Sequence, residues 1–422
     1  MVKGVVECGC FTLQVFPFDI RFRGMILPSD GEASGRRFGA SELDNLRAVL
    51  ESGTLNCTRG TFVSRLEREF AARYGGEGFA CTAVTSGTAA LHCAFAALDL
   101  EVGDEVVTTS VTDMGAISAI LFCGLVPVFA DIGATTFNIS ASSVEAVLTP
   151  RTKAVVATHL FGAPCEMEAL ERLCRKRGLF LIEDAAQAPY ATFDGARVGT
   201  LGDIGCFSLQ QGKHFSCGEG GLVLARDPDL ARRVRLFHDK AWGYGDATPD
   251  HYFLAPNYRM TELAGAVALA QLDRVEEVVR DRQNSAGEFL ARTRNLAGVA
   301  AQVVPDNATS VFWKVTLRIE PQVAGADVRQ IGARLKERYS IACAPRYVQK
   351  PAFECEALRD KRTFGRSQWP LENARWPDEM TLPGTYDALA HMLVLPWNEN
   401  YTPDHVGFIA DALHETLGHF RS

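Results

Sequence analysis

GDIGCFSLQQGKHFSCGEGGLVL, residues 202–224, reads as an apolar strand, a polar turn holding one lysine, a glycine-rich turn and a second apolar run. A lysine held at the mouth of a sheet loses its proton more readily than one in water and can become a nucleophile. The glycines let the backbone turn tightly and come close to whatever that lysine holds. Lys213 is therefore the first candidate for chemistry, and the rest of the chain is read for groups that would work with it.

Working outward, short apolar runs alternate with helical segments on both sides of this stretch. The runs GFACTAV, EVVTTSV, LVPVFADI, AVVATHLFG, LFLIEDAA, IGCFSLQ and GLVLA alternate with GTAALHCAFAAL, EMEALERLCRKRG and DPDLARRVRLF. Such alternation predicts an α/β fold with a largely parallel sheet covered by helices on both faces. Ligands of such sheets sit beyond the C-terminal ends of the strands. Upstream, SELDNLRAVLESG predicts an amphipathic helix with Leu43, Leu46 and Leu50 on its apolar face and a stop at Gly53, and a second helix is expected over Phe62 to Tyr74. Downstream, the helical pattern TELAGAVALAQLDRVEEVVRDRQNSAGEFLARTRNL reads as one long connector into a smaller α+β region. That region begins with the strand-like SVFWKVTLRI and closes with the helix PDHVGFIADALHETLGHF.

Four stretches fall at strand ends. In VTSGTAAL, Ser86, Gly87 and Thr88 open a helix, whose free N–H groups suit a phosphate and whose start equally suits a serine cap. In LIEDAAQAP, Asp184 follows a strand with Gln187 three residues on, and a carboxylate there can keep a cationic ring nitrogen protonated or cap a helix. The third is the Lys213 turn, with Ser208 five residues earlier. In APNYRMTEL, Asn257 can cap the next helix or reach a ligand, and Arg259 suits an anion. His159 and His214 read as structural or pocket-wall residues. Gly212-Lys213 is not a nucleotide-binding P-loop, because His214 follows the lysine, and no GxGxxG motif follows a first strand. Together these parts match the needs of pyridoxal phosphate: a lysine for its Schiff base, a carboxylate for its ring nitrogen and a helix start for its phosphate.

The segments SGTLN-TRGTFVSRLEREFAARYG, TSGTAAL, GDEVV, PVFADI, THLFG, IEDAAQA, GDIGCFSLQQGKHFSCGEGG and NYRMTEL resemble the DegT/DnrJ/EryC1/StrS family of sugar aminotransferases, within the fold-type I pyridoxal-phosphate enzymes. The resemblance runs over nearly all of residues 40–400. It implies that Lys213 forms the Schiff base and then shuttles a proton, and that Asp184 pairs with the pyridine nitrogen. It also implies that Gly87, Thr88 and Ser208 hold the phosphate and that Gln187 contacts the ring or its phenolic oxygen. Asn257 would reach the cofactor phosphate of a partner subunit, which makes the active unit a homodimer with its site at the interface. The implied organisation is an N-terminal extension (1–28), an arm (29–60), a large pyridoxal-phosphate-binding α/β domain (61–285) and a small C-terminal α+β domain (286–422).

The implied reaction moves an amino group from glutamate or glutamine to a keto-sugar, nucleotide-linked or a free cyclitol, in antibiotic or surface-polysaccharide biosynthesis. Two other readings are a dehydrating, aromatising enzyme of the aminohydroxybenzoate-synthase type and a non-catalytic cofactor-binding regulator. Some relatives that dehydrate carry histidine at the lysine position, so Lys213 favours transamination. One departure stands out: Asp113 and Met114 occupy a place where the family carries an aromatic that stacks on the cofactor. The stretches 239–253 and PRYVQKPAF are expected to shape the substrate pocket.

Composition narrows the class further. The 422 residues carry a formal net charge of −8, which argues against a broad nucleic-acid surface. The 12 cysteines are scattered, with Cys8 and Cys10 the one close pair and no CxxC, so neither a metal site nor a disulfide framework is expected and a reducing cytoplasm fits. No apolar run reaches the length of a membrane span, and Glu7 and Pro17 interrupt the N-terminal apolar stretch that could otherwise pass for a leader.

Overall fold

The computed structural model describes residues 25–421. Cys8, Cys10 and most of the expected N-terminal extension lie outside the described residues.

Seven strands make the main sheet: β1 (Ala80–Val84), β2 (Glu105–Thr109), β3 (Val126–Ala130), β4 (Thr152–Thr158), β5 (Phe180–Asp184), β6 (Ile204–Ser208) and β7 (Gly221–Ala225). Their spatial order is β1-β7-β6-β5-β4-β2-β3. Every pairing is parallel except those of β7, which runs against both β1 and β6. The strands are mostly apolar on both faces because helices cover both sides of the sheet, with polar residues gathered at their ends. In β4, Val155 and Ala157 join one core while Ala154 and Val156 join the core on the opposite face.

The exception at β7 matters for chemistry. Because β7 runs backwards, it starts at the edge where the other strands end. The connection from Ser208 to Gly221 therefore lies wholly along that edge, and Lys213 is on it. The registers keep the neighbouring ends level, with Thr158 opposite Asp184 and Asp184 opposite Cys206.

Helix α1 (Ala40–Ser52) forms where expected and ends at Gly53 with φ 66°. Its orientation differs from the expectation. Val49 and the charged Glu42 are buried, while Leu43 and Leu50 are 63% and 64% exposed. The cause is polar: Glu42 accepts from its own helix start at Gly39 N (2.8 Å) and from Gln271 Nε2 (2.7 Å), and Arg274 pairs with it at 3.1 Å. A buried carboxylate with these partners sets the helix rotation against the leucine stripe. Helix α2 (Phe62–Phe70) buries Leu66 and Phe70 completely.

The expected long connector is two helices. One spans Glu262–Leu272 and packs on α1 and α2; the next spans Val275–Thr293, starting after a break at Asp273 and Arg274. The second helix contributes Val275 and Val279 to the core of the main sheet and Ala286 and Phe289 to a further core. That further core lies under a smaller antiparallel sheet of Val299–Ala301, Lys314–Ile319, Met392–Pro396 and Ala344–Pro345. No described helix is long and apolar enough to cross a membrane.

Candidate active site

Helix α3 (Gly87–Ala97) leaves the end of β1 and runs under the sheet. It is buried on almost every side, which explains its all-round apolar sequence. Ser86 is its cap, with Oγ accepting from Ala89 N at 3.0 Å. The first N–H groups of a helix have no partner inside it, and here Gly87 and Thr88 line a cleft. Helix α4 (Met114–Phe122) opens beside it, capped by Asp113, whose Oδ1 accepts from Gly115 N at 2.8 Å. Two helix starts thus face one space, and both approaches require glycine. A Cβ on Gly87 would sit 2.8 Å from Ser208 Cβ, and one on Gly115 would sit 2.6 Å from Thr88 Oγ1.

The cleft encloses about 410 Å³. Gly87, Thr88, Asp184, Gln187, Ser208 and Lys213, drawn from separate strand ends, all line it. Asp184 is buried, and burial holds its carboxyl above the usual value of 3.8. Ala186 N donates to its Oδ1 at 3.2 Å, and Lys213 opposes the shift electrostatically. No helix follows Asp184, so the capping alternative for it falls away.

Lys213 is pushed down to about 8, chiefly by burial, against the raising influence of Asp184 and Asp113. Its Nζ lies 4.2 Å from the centroid of the Trp313 ring, within cation–π range. Gln187 is fixed through Oε1, which accepts from Phe161 N at 2.7 Å, and its Nε2 reaches the Tyr347 hydroxyl at 3.5 Å. Phe161 meets the Tyr347 ring edge to face at 4.8 Å. Phe161 and Tyr347 both hold left-handed backbone, with φ 63° and 45°. Such conformations are uncommon for bulky residues and cluster at functional sites.

The neighbouring Glu183 points the other way, into the protein. It is fully buried and accepts from Gly199 N, Leu201 N and Gly202 N at 2.6–2.7 Å, and from His159 Nε2 at 3.0 Å. His159 Nδ1 accepts from Cys165 N (3.1 Å), which leaves Nε2 as the donor to Glu183. His214 Nε2 donates to Val311 O at 2.9 Å from a fully buried position, where burial lowers its basicity. Both histidines are structural neighbours of the cleft.

Some expected residues lie elsewhere. Asn257 is exposed and outside the cleft lining of its own chain, and its Oδ1 accepts from Arg259 N at 3.2 Å. It does not cap the following helix, since Thr261 does, accepting from Ala264 N. Arg259 is paired with Asp239. Met114 turns out of the cleft into an apolar cluster, its Sδ 3.7 Å from Cys355 Sγ, so it offers no packing surface there. The 239–253 stretch also lies outside the lining, held by its own contacts such as Tyr252 Oη to Asp246 at 2.7 Å. Trp313, Tyr347 and Glu219 do line the cleft and were not singled out in the sequence. PRYVQKPAF pointed to the region of Tyr347, but no local pattern marks Trp313, which reaches the lysine from 100 residues away.

The residues present fit pyridoxal phosphate. A helix start at Gly87 and Thr88, approached closely by glycine, suits a phosphate. A buried carboxylate with one backbone donor suits a protonated ring nitrogen. A half-buried lysine whose basicity burial lowers suits an aldehyde.

A mostly parallel α/β sheet carrying this combination at one edge defines a pyridoxal-phosphate-dependent enzyme. Residues 37–413 match the DegT/DnrJ/EryC1/StrS aminotransferase family. The chain belongs to that family and is an aminotransferase. It is 36% identical over 287 residues to a GDP-perosamine synthase of Caulobacter vibrioides, covering 67% of this chain and 76% of that protein. It is 32% identical over 320 residues to the L-glutamine:2-deoxy-scyllo-inosose aminotransferase of Streptomyces kanamyceticus, covering 72% and 74%. The crystal structure of the aminotransferase TlmJ from Streptoalloteichus hindustanus superposes with a TM-score of 0.79 at 29% identity, covering 92% of this chain and 98% of that one.

Proposed function

We propose that the protein transfers an amino group from glutamate or glutamine to the carbonyl carbon of a keto-sugar or cyclitol ketone. The observation that carries this reading is the meeting of Lys213, Asp184 and the Gly87–Thr88 helix start in one cleft. Pyridoxal phosphate, when bound, supplies an electron sink for the carbon that gains or loses a proton. The protein's own residues do the rest. Gly87, Thr88 and Ser208 would receive the phosphate, and Gln187 would lie beside the ring. Asp184 would hold the proton on the ring nitrogen through its negative charge. Lys213 Nζ would take the proton from the donor's α-carbon and return one at the next stage. A value near 8 keeps both forms of the amine accessible close to neutral pH, as a group acting alternately as base and acid requires.

The related proteins act, by name, on a nucleotide-linked sugar and on a free cyclitol. The test is to mix the enzyme with glutamate and glutamine separately and follow loss of the cofactor's visible band. Uncharged cyclitol ketones and nucleotide-linked ketones are then supplied to restore it. Loss with either donor, and recovery with one of the two ketone classes, is the expected result. No bleaching by any amino donor would overturn the transaminase reading, and recovery with neither ketone would overturn the acceptor class.

The reading includes a homodimer in which Asn257 reaches the partner's cofactor phosphate. Supporting it, Asn257 faces solvent in the single chain, and close by Leu254 (96% exposed) and Phe122 (54% exposed) line one surface groove. A contiguous exposed apolar patch marks an association surface. If so, inactive Lys213→Ala and impaired Asn257→Ala chains regain activity when unfolded together and refolded as a mixture. Each mixed dimer then has one site with both residues intact. A mixture no more active than the sum of its parts would place Asn257 outside the partner's site.

A further inference from the structure

Besides its own bonds from Lys213 N to Gln210 O and from Gln211 N to Gly218 O (both 2.9 Å), the turn that carries Lys213 is held by side chains from outside its sheet. The Lys213 carbonyl accepts from Arg36 Nη1 at 2.8 Å, and the Gly212 carbonyl accepts from Trp313 Nε1 at 2.8 Å. Gln211 Nε2 donates to the Asp30 carbonyl at 2.9 Å. Three consecutive residues are thereby pinned by two segments remote in sequence, 30–36 and the start of the strand Lys314–Ile319.

Arg36 is itself held. Its side chain is 3% exposed, its Nη2 lies 3.3 Å from Asp30 Oδ1 and its Nε donates to Asp30 O at 3.3 Å. The Asp30 carboxylate also meets Lys314 Nζ (3.2 Å), Asn398 Nδ2 (2.5 Å) and Arg282 Nη2 (3.4 Å). Arg282, wholly buried, binds Glu399 at 2.6 Å and donates through Nη1 to the Trp313 carbonyl at 3.1 Å. Both contacts on the lysine turn therefore trace back to one buried charge network.

Networks of this kind carry a heavy desolvation cost, and apolar packing of equal volume is often as stable. Stability is thus a weak reason for this one. Position is a better reason, because a main chain fixed on both sides of Lys213 limits where its Nζ can reach. Misplacing a reacting atom by about 1 Å can cost about a hundredfold in rate.

We propose that Arg36 is a positioning residue for Lys213: anchored by Asp30, it fixes the lysine's main chain so that the amine meets the cofactor's aldehyde at a set place. This rests on Lys213 being the lysine that captures the cofactor. The strap of residues 29–36 then serves the reactivity of a residue about 180 positions away, and Trp313 serves it from the other side.

The test uses the full chain without cofactor, as wild type, Arg36→Met, Arg36→Lys, Trp313→Phe and Lys213→Ala. Two quantities are read: the rate at which the visible band develops with pyridoxal phosphate, and the affinity for pyridoxamine phosphate. The second compound has no aldehyde and forms no bond to lysine. Arg36→Met is expected to slow capture about tenfold or more with pyridoxamine phosphate affinity changed less than about threefold, and Arg36→Lys to recover part of the rate. Trp313→Phe, which removes the bond to Gly212 and keeps a smaller aromatic ring beside Lys213 Nζ, is expected to slow capture in the same selective way and serves if Arg36→Met does not fold. Unchanged capture in these variants, or equal losses for both compounds, overturns the proposal. A visible band in Lys213→Ala would overturn the underlying assignment of the lysine instead.

Discussion

Lys213→Ala is expected to abolish the cofactor's visible band and lower turnover by about 10⁴-fold or more, since one residue is asked to act as nucleophile, base and acid. The loss will not come from unfolding. In the free chain the folded value of Lys213 is about 8, below its usual 10.5. A base depressed in this way contributes its full stability above the unfolded value and loses it as pH falls through the folded one. At pH 7 the wild-type chain without cofactor therefore carries a half-buried, poorly solvated ammonium that the variant lacks. Thermal melts of the cofactor-free chains at pH 7 should show the variant at least as stable as wild type. Retained turnover would remove Lys213 from the mechanism.

Asp184→Asn is expected to lower turnover by roughly 10²–10³-fold, because a neutral amide cannot hold a proton on the ring nitrogen through charge. Its signature in stability has the opposite sign. Burial raises the Asp184 carboxyl above 3.8, so in the cofactor-free chain its contribution is present below that value and is lost as pH rises through the raised one. Asparagine has no such loss. Without cofactor the variant should melt higher than wild type at pH 7, with the gap closing toward pH 4. With cofactor the order should reverse, since the cation then offsets the buried charge in the wild type. A variant less stable than wild type in both states would make Asp184 a structural carboxylate, in the manner of Glu183 beside it.

That contrast shows where sequence reading works. Glu183 and Asp184 are adjacent, and alternation along β5 sends their side chains to opposite sides. Asp184 lines the cleft with the other strand-end residues, whereas Glu183 is consumed by three backbone N–H groups and His159. The candidates that converge in the cleft were visible because each follows an apolar run, and parallel strands bring their ends to one edge. Asn257 carries no such placement, because its proposed ligand belongs to a second chain.

Helix α1 marks the opposite case. Its leucine spacing was plain, yet the buried Glu42 and its partners Gln271 and Arg274 turned the leucines outward. Those partners lie more than 200 residues on, beyond any local pattern.

By itself, then, the sequence determined the sheet architecture, the family and the residues at the strand ends, since these depend on short-range periodicity and on motifs a few residues long. Only the tertiary structure decided that β7 runs backwards, so that the Lys213 turn lies along the working edge. It alone brought Trp313 and Arg36 to that turn, set Tyr347 in the cleft and aimed Met114 out of it. These are contacts between segments far apart in the chain, settled by how buried charges and rings find partners, and nothing in the local spacing of residues encodes them.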